Sequence, residues 1–310
     1  MMNNSNIHCE GSNWSRRKFL TRTLAGAGLA LSAPQLLADT ATKRTATDLV
    51  PLGKTGIRVS RLAQGTGFNG FARTSEQTRL GEEACVGLLR HGYAAGVRFL
   101  DMADLYGSHE YVKKSLVGQD REKFVLLSKI WVREQDWNQP SGGAVQEVDR
   151  FRKELNTDTL DVCLIHCTTN SNWPGQYERV RDELSGLKQK GVVRAVGTSC
   201  HDLGALRVAA DHPWVDVIFA RINHRGGKQY SMDGSAEEVA AVLKQARSNG
   251  KAVVGMKIFG AGKLVKPEEK DASLKYVFEN DLVDAITVGT LSTAQVDDTV
   301  ERMNRALTVG

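Results

Sequence analysis

Asp101, Tyr106, Lys129 and His166 are the residues whose types could do chemistry together. Three of them close short apolar runs, Arg98–Asp101, Phe124–Lys129 and Val162–His166, and Tyr106 follows Asp101 by five positions. An acid, a phenol, an amine and an imidazole are thereby offered at strand ends. A free phenol, with a pKa of about 10, is a reluctant proton donor near neutrality. A lysine cation beside it would favour phenolate and lower that pKa, and a carboxylate would hold the lysine in place and charged. An imidazole on the opposite wall would donate a hydrogen bond to a reacting oxygen and set its angle. Each residue also has a structural reading: Asp101 and Lys129 as an ion pair across a rim, Tyr106 as loop packing, His166 as a satisfied core histidine.

The elements that would position these residues follow from an alternation of short apolar runs with longer amphipathic segments. Leu49–Leu52 and Ile57–Val59, joined by Gly53-Lys54-Thr55-Gly56, read as a β-hairpin. Strand-like runs then fall at Arg61–Gly65, Arg98–Asp101, Phe124–Lys129, Val162–His166, Val193–Ser199, Val217–Arg221, Ala252–Lys257 and Ala285–Val288. Helical patterns lie between and after them, at Glu82–Ala95, Glu110–Val117, Ala144–Leu155, Gln176–Lys190, Leu203–Ala210, Ala236–Asn249, Ala272–Glu279 and Thr293–Leu307. Eight alternations predict an α/β fold, a closed (β/α)8 TIM barrel with an N-terminal β-hairpin, over residues 45–310. Catalysis in such a barrel sits at the C-terminal mouth, so polar residues that end strands are the ones to weigh.

One motif points elsewhere. Gly65-Thr66-Gly67-Phe68-Asn69-Gly70 spells G-x-G-x-x-G directly after the first barrel strand. A dinucleotide fingerprint must open a helix at once and carry an acid about 20 residues on. Here Phe71-Ala72-Arg73-Thr74-Ser75 continues as loop and Leu89 to His91 holds no carboxylate, so an open doubly wound sheet is disfavoured.

The 310 residues, 41% hydrophobic and 25% charged, suffice to bury a large core. No uninterrupted apolar run reaches the roughly 18 residues of a spanning helix, so no stable membrane anchor is expected. Residues 1–38 read as a targeting segment: a polar start, then Ser15-Arg16-Arg17-Lys18-Phe19-Leu20, then a weakly apolar stretch from Leu24 to Leu37 ending near Ala38. Paired arginines in SRRKFL resemble a bacterial twin-arginine signal. That resemblance implies export of an already folded, cofactor-loaded protein to the periplasm by the twin-arginine machinery. The remainder carries 37 basic and 35 acidic side chains, a balance that offers nucleic acid nothing to engage. Cys9 lies in the leader, and folding in a reducing compartment disfavours a disulfide framework among Cys85, Cys163, Cys167 and Cys200.

The segments GVRFLDMADLYGSHE, VLLSKIW and DVCLIHC resemble the three catalytic segments of the aldo-keto reductases. The likeness runs from PLGKTGIRVSRLAQGTG to ITVGTLSTAQVDD, nearly the whole mature chain. It implies that the family's Asp, Tyr, Lys and His tetrad falls on Asp101, Tyr106, Lys129 and His166. It also implies a small-molecule carbonyl or alcohol substrate, and NADP or NAD as the hydride source that no side chain can replace.

By the same resemblance, Gly65, Thr66 and Gly67 would border the cofactor, and Ser199 and Cys200 would stand where a hydroxyl and an amide hold the nicotinamide carboxamide. Cys200 departs from the usual asparagine, and Phe219 from a glutamine that often contacts the same group; His201, Arg221 or Asn223 could supply that polarity from the mouth, or Arg221 and Asn223 could form a polar barrel plug. Lys257, Phe259 and Gly260 would cover the pyrophosphate, and Gly289, Thr290 and Gln295 would lead into an anion-binding helix start. The usual lysine and arginine for a 2′-phosphate are Gly289 and Gln295 here. Cys163, His166, Cys167, Cys200 and His201 suggest zinc, but strand alternation should turn Cys163 away from His166, so no metal is expected. A non-catalytic barrel that binds nucleotide or carbohydrate is the rival reading. Loops near Asn69–Ser75, Trp131–Ser141, Thr168–Pro174 and Arg225–Gly234 would choose the substrate.

Overall fold

A computed structural model describes residues 44–132 and 143–308 of the chain. Residues 1–38, expected to be a targeting segment, and most of the loop expected at Trp131–Ser141 lie outside the described residues. Strands β1 (Leu49–Pro51) and β2 (Arg58–Ser60) pair antiparallel as the expected hairpin. The next eight are β3 (Leu62–Gly65), β4 (Phe99–Asp101), β5 (Val125–Trp131), β6 (Leu160–Thr168), β7 (Val193–Cys200), β8 (Val217–Arg221), β9 (Ala252–Met256) and β10 (Ala285–Gly289). They form a closed parallel barrel in which β10 pairs with both β3 and β9. The fold is the (β/α)8 TIM barrel that the alternation predicts.

The helices are α1 (Glu76–Arg79), α2 (Glu82–Ala94), α3 (His109–Ser115), α4 (Ala144–Leu155), α5 (Trp173–Gln176), α6 (Glu178–Gln189), α7 (Leu203–Asp211), α8 (Ala236–Ser248), α9 (Pro267–Glu279) and α10 (Thr293–Leu307). Their starts carry local chemistry. Ser235 and Glu238 form a reciprocal capping box on α8, and Ser292 accepts the Gln295 N–H at the head of α10. Proline at the first position lets α9 begin at Pro267, five residues before the expected start at Ala272. The single helix expected at Gln176–Lys190 is broken at Tyr177 into α5 and α6. After the G-x-G-x-x-G, the chain runs through a loop before the four-residue α1, so the glycines open no long helix.

Side-chain alternation sorts each strand into two layers. Val162 and Leu164 join the barrel interior with Phe99, Leu127, Val217 and Val254, whereas Cys163 and Ile165 join the outer core against the helices. Leu52, Ile57 and Val59 of the hairpin belong to the interior cluster with Val125, Ala252 and Ala285, residues at or near the strand starts. The hairpin therefore plugs the N-terminal end and leaves the opposite mouth for chemistry. Among the described residues no helix is long and apolar enough to cross a membrane.

Candidate active site

The parity that points Phe99 and Leu127 inward also points Asp101 and Lys129 inward, one layer nearer the mouth. Strands β5 and β6 run two residues beyond the expected ends at Lys129 and His166, because Trp131 still pairs with His166 and Thr168 with Cys200. Lys129 is only 1% exposed. Its ammonium donates to Asp101 Oδ1 and, at 2.9 Å, to the Met102 carbonyl. Asp101 Oδ2 accepts from Thr287 Oγ1 at 2.8 Å, and its carbonyl accepts from Thr66 N–H at 3.0 Å and Thr66 Oγ1 at 2.8 Å.

Tyr106 ends a 3-10 turn, Asp104–Tyr106, closed by Gly107 at φ 62°. Its hydroxyl lies 3.4 Å from His166 Nε2, and the rings meet edge-on with centroids 5.6 Å apart. Lys129 Nζ stands 5.0 Å from the centroids of both the Tyr106 and Phe219 rings. The structure thus brings together all four residues of the expected tetrad at one mouth.

The electrostatics correct one expectation. Burial, reinforced by the Asp101 charge and by Cys167, pushes the Tyr106 phenol well above its ordinary pKa rather than below it. The Lys129 ammonium donates to Asp101 and stands 5.0 Å from the centroid of the phenol ring. Burial also lowers the Lys129 pKa, opposed by Asp101. His166 is held well below the usual imidazole range by burial and by the nearby Lys129, His201 and Lys257. It is therefore neutral near neutrality, and its buried Nδ1 has no hydrogen-bond partner among the described residues.

A cleft opens from this cluster toward the head of α10. Gly65, Gly67, Lys257, Phe259, Gly289, Thr290 and Gln295 line it, together with Tyr106, Lys129 and Asp101. Four other expected contacts lie elsewhere. Thr66 is buried, bonded to Asp101 and 2.7 Å from Ser108 Oγ. Gly260 is buried at φ 58° in the turn behind Phe259. Ser199 is buried with Oγ 3.3 Å from His201 Nε2. Cys200 falls on the outward parity of β7, packs in the outer core and has its thiol pushed up to about 12 by burial, so it does not face the cleft.

The same parity separates Cys163 and Cys200 from His166, and among the described residues no His, Cys, Asp or Glu group is arranged to hold a metal. Arg221 bonds His201 Nδ1 and, at 3.2 Å, Asp233, whose carboxyl burial raises to about 6. Asn223 is used structurally: its amide donates to the Tyr230 and Lys257 carbonyls and its oxygen accepts from Arg225 and Gly226 N–H.

Several features of the cleft fit a dinucleotide. Lys257, at φ 59°, borders it with no described carboxylate in ion-pair reach, and the buried Thr290 hydroxyl lacks a partner among the described residues. A Cβ on Gly289 would sit 2.8 Å from Gln77 Nε2 and 3.2 Å from Phe68 Cβ, so the glycine keeps that wall thin without moving Gln77. At the rim Lys270 and Asp298 stand 3.7 Å apart, one cation and one anion.

Sequence reasoning missed Thr287 and Gln77. Thr287 shares the inward parity of Ala285, a signal present in the sequence. Gln77 ties the loop after β3 to the loop after β10, accepting from Phe68 N–H at 3.1 Å and donating to the Thr290 carbonyl at 3.3 Å. It stands in a helix of only four residues that has no periodicity to reveal it.

The chain is similar to several known proteins. It is 28% identical to the methylglyoxal reductase YeaE of Escherichia coli over 148 residues, 46% of each chain, so that match spans less than half the relative's length. It is 22% identical over 306 residues to the L-galactose dehydrogenase of Arabidopsis thaliana, covering 86% of this chain and 91% of that one. Among solved structures, an aldo-keto reductase from Pseudomonas aeruginosa superposes with a TM-score of 0.68 at 26% identity, over 85% of this chain and 97% of that one. Residues 65–276, more than half of the chain, match the Aldo/keto reductase family, and the chain belongs to that family.

Proposed function

We propose that the protein is an NAD(P)-dependent oxidoreductase that reduces a small aldehyde, ketone or sugar carbonyl, or oxidises the corresponding alcohol, with Tyr106 as proton donor. The observation that carries the reading is the Tyr106 hydroxyl, 3.4 Å from a neutral His166, over a buried Lys129–Asp101 pair at the end of an open cleft.

When bound, the nicotinamide supplies the hydride. Lys257, Thr290 and the thin glycine wall at Gly289 are the residues that would hold its phosphates. Reduction leaves the substrate oxygen needing a proton, and Tyr106 O–H gives it as negative charge builds there. The raised pKa keeps that proton on the phenol until then. The Lys129 ammonium, 5.0 Å from the ring, stabilises the phenolate as it forms, and Asp101 keeps the ammonium oriented. His166, neutral, can offer an N–H to the carbonyl oxygen and fix its approach. In the reverse direction the phenolate takes the alcohol proton.

Turnover of a carbonyl panel followed by NAD(P)H absorbance tests the reading, and the named activities of the relatives make methylglyoxal and L-galactose the first compounds to try. Tyr106→Phe should lose at least about 100-fold in kcat, the scale of one acid–base catalyst, with nucleotide affinity little changed. Full turnover by the phenylalanine variant would overturn the assignment.

We also propose export. The paired arginines Arg16 and Arg17 before a short apolar stretch support delivery of the folded, cofactor-loaded protein to the periplasm by the twin-arginine machinery.

A further inference from the structure

The G-x-G-x-x-G after β3, set aside above as a nucleotide fingerprint, lies against the phenol. A Cβ on Gly67 would stand 2.2 Å from Tyr106 Cε2 and 2.3 Å from Cζ, and one on Gly70 would stand 2.4 Å from Cδ1 and 2.9 Å from Cε1. Backbone therefore lies against both edges of the ring, Gly67 along Cδ2–Cε2 and Gly70 along Cδ1–Cε1, and no other residue type leaves room for it. Gly70 N–H donates to the Gly67 carbonyl at 3.1 Å, so the two glycines close one turn.

The segment that follows is strained and tied down. Asn69, Ala72 and Arg73 all have left-handed backbones, at φ 50°, 51° and 57°. Phe71 and Thr74 exchange backbone hydrogen bonds of 2.9 and 3.1 Å. Arg73 then anchors the loop to the rest of the barrel. Its Nη2 donates to Glu154 Oε1 at 2.5 Å, and its Nε lies 3.8 Å from Asp104 Oδ1. Its carbonyl packs so closely on Gly107 that a Cβ there would lie 2.0 Å from the oxygen. Asp104 and Gly107 are the start and the cap of the turn that carries Tyr106.

Behind the turn the anchor continues as one ionic network. Arg150 donates to Asp104 at 2.6 Å, to Glu154 at 2.9 Å and to Glu147. His109, 3% exposed, bridges Glu154 at 2.6 Å and Ser128 Oγ at 2.8 Å. Ser128 is on the outer face of β5, next to Lys129 on the inner face. Burial alone would raise the Glu154 pKa, but hydrogen bonds from His109, Arg150 and Arg73 bring it to about 2, so it stays an anion within the cluster.

We propose that Gly67–Thr74 is a clamp that holds the Tyr106 ring at its working position, and that Arg73 is a positioning residue acting through it. The inference rests on the reading of Tyr106 as the acid. An acid displaced by about 1 Å can lose on the order of 100-fold in rate without any change in its chemistry.

The test uses the whole chain carrying 13C-tyrosine, with the Tyr106 ring signals assigned by their absence in Tyr106→Phe. Gly70→Ala and Arg73→Ala should each lower kcat by about tenfold or more, leave NAD(P)H affinity near that of the parent, and shift or broaden the Tyr106 signals; Arg73→Ala, which introduces no overlap, should also keep the parental thermal midpoint. Arg73→Lys, which keeps a cation opposite Glu154, should recover most of the kcat. Parental kcat and parental ring signals in both variants would overturn the clamp, as would a loss confined to nucleotide affinity. If Tyr106→Phe keeps full turnover, the acid reading fails, and the ring signals of Gly70→Ala and Arg73→Ala still decide whether the loop holds the ring.

Discussion

Both carboxylate oxygens of Asp101 are committed, one to Lys129 and the other to Thr287. An ion pair this deep is held by geometry more than by attraction, because desolvation offsets much of the Coulomb gain. Thr287 is thus the strut that keeps Asp101 aimed at Lys129. Hydrogen bonds to charged groups contribute about 1.5–3 kcal/mol, and each ~1.4 kcal/mol is tenfold in rate. Thr287→Val should therefore lower kcat about tenfold while Thr287→Ser retains it; steady-state kinetics checks this, and an unimpaired valine variant would mean that the second oxygen needs no support. The phenol teaches a related lesson. A lysine near a tyrosine reads as an activator in sequence, yet in the folded chain burial is the largest influence on the resting phenol and the Asp101 charge adds to it, so the direction is upward.

At the scale of elements, the hairpin β1–β2 and the loop after β3 do opposite jobs at opposite ends. The hairpin closes the N-terminal end, and Gly53 fits so tightly there that a Cβ would come within 2.5 Å of Ala252 N. Ile57 is 1% exposed in that plug. Ile57→Ala should cost about 2–5 kcal/mol in urea unfolding and leave kcat per folded molecule unchanged, since it empties a cavity at the end away from the tetrad. A loss of kcat at parental stability would show that the plug reaches the chemistry. The extra two residues of β5 and β6 were not legible from hydropathy, because Trp131, Cys167 and Thr168 follow polar residues that look like strand ends. Backbone pairing with the neighbouring strand, and the irregularity between Ile165 and Thr168, decide those ends instead.

For the whole molecule, export and chemistry are linked by the proposed route. A twin-arginine pathway carries folded cargo, so the barrel would acquire its nucleotide before leaving the cytoplasm. Replacing Arg16 and Arg17 together by lysine should leave the protein in the cytoplasm with its turnover intact, read by fractionation and NAD(P)H absorbance. Unchanged export of that variant would remove the assignment.

The sequence by itself determined the count of strands, the order of the tetrad and the side of β6 that carries His166, because alternation is a local property of extended backbone. Asp101, Lys129 and His166 were legible because each closes an apolar run, Tyr106 because it follows Asp101 by five positions, and the barrel because strand and helix patterns alternate eight times. The meeting of Thr287 with Asp101, 186 positions apart, was not legible, since only closure of the barrel sets β10 and β4 on either side of β3. Tertiary structure likewise decided that Gly67 and Gly70 press on a phenol. A glycine in sequence declares only that something must come close, and the folded chain supplies what that something is.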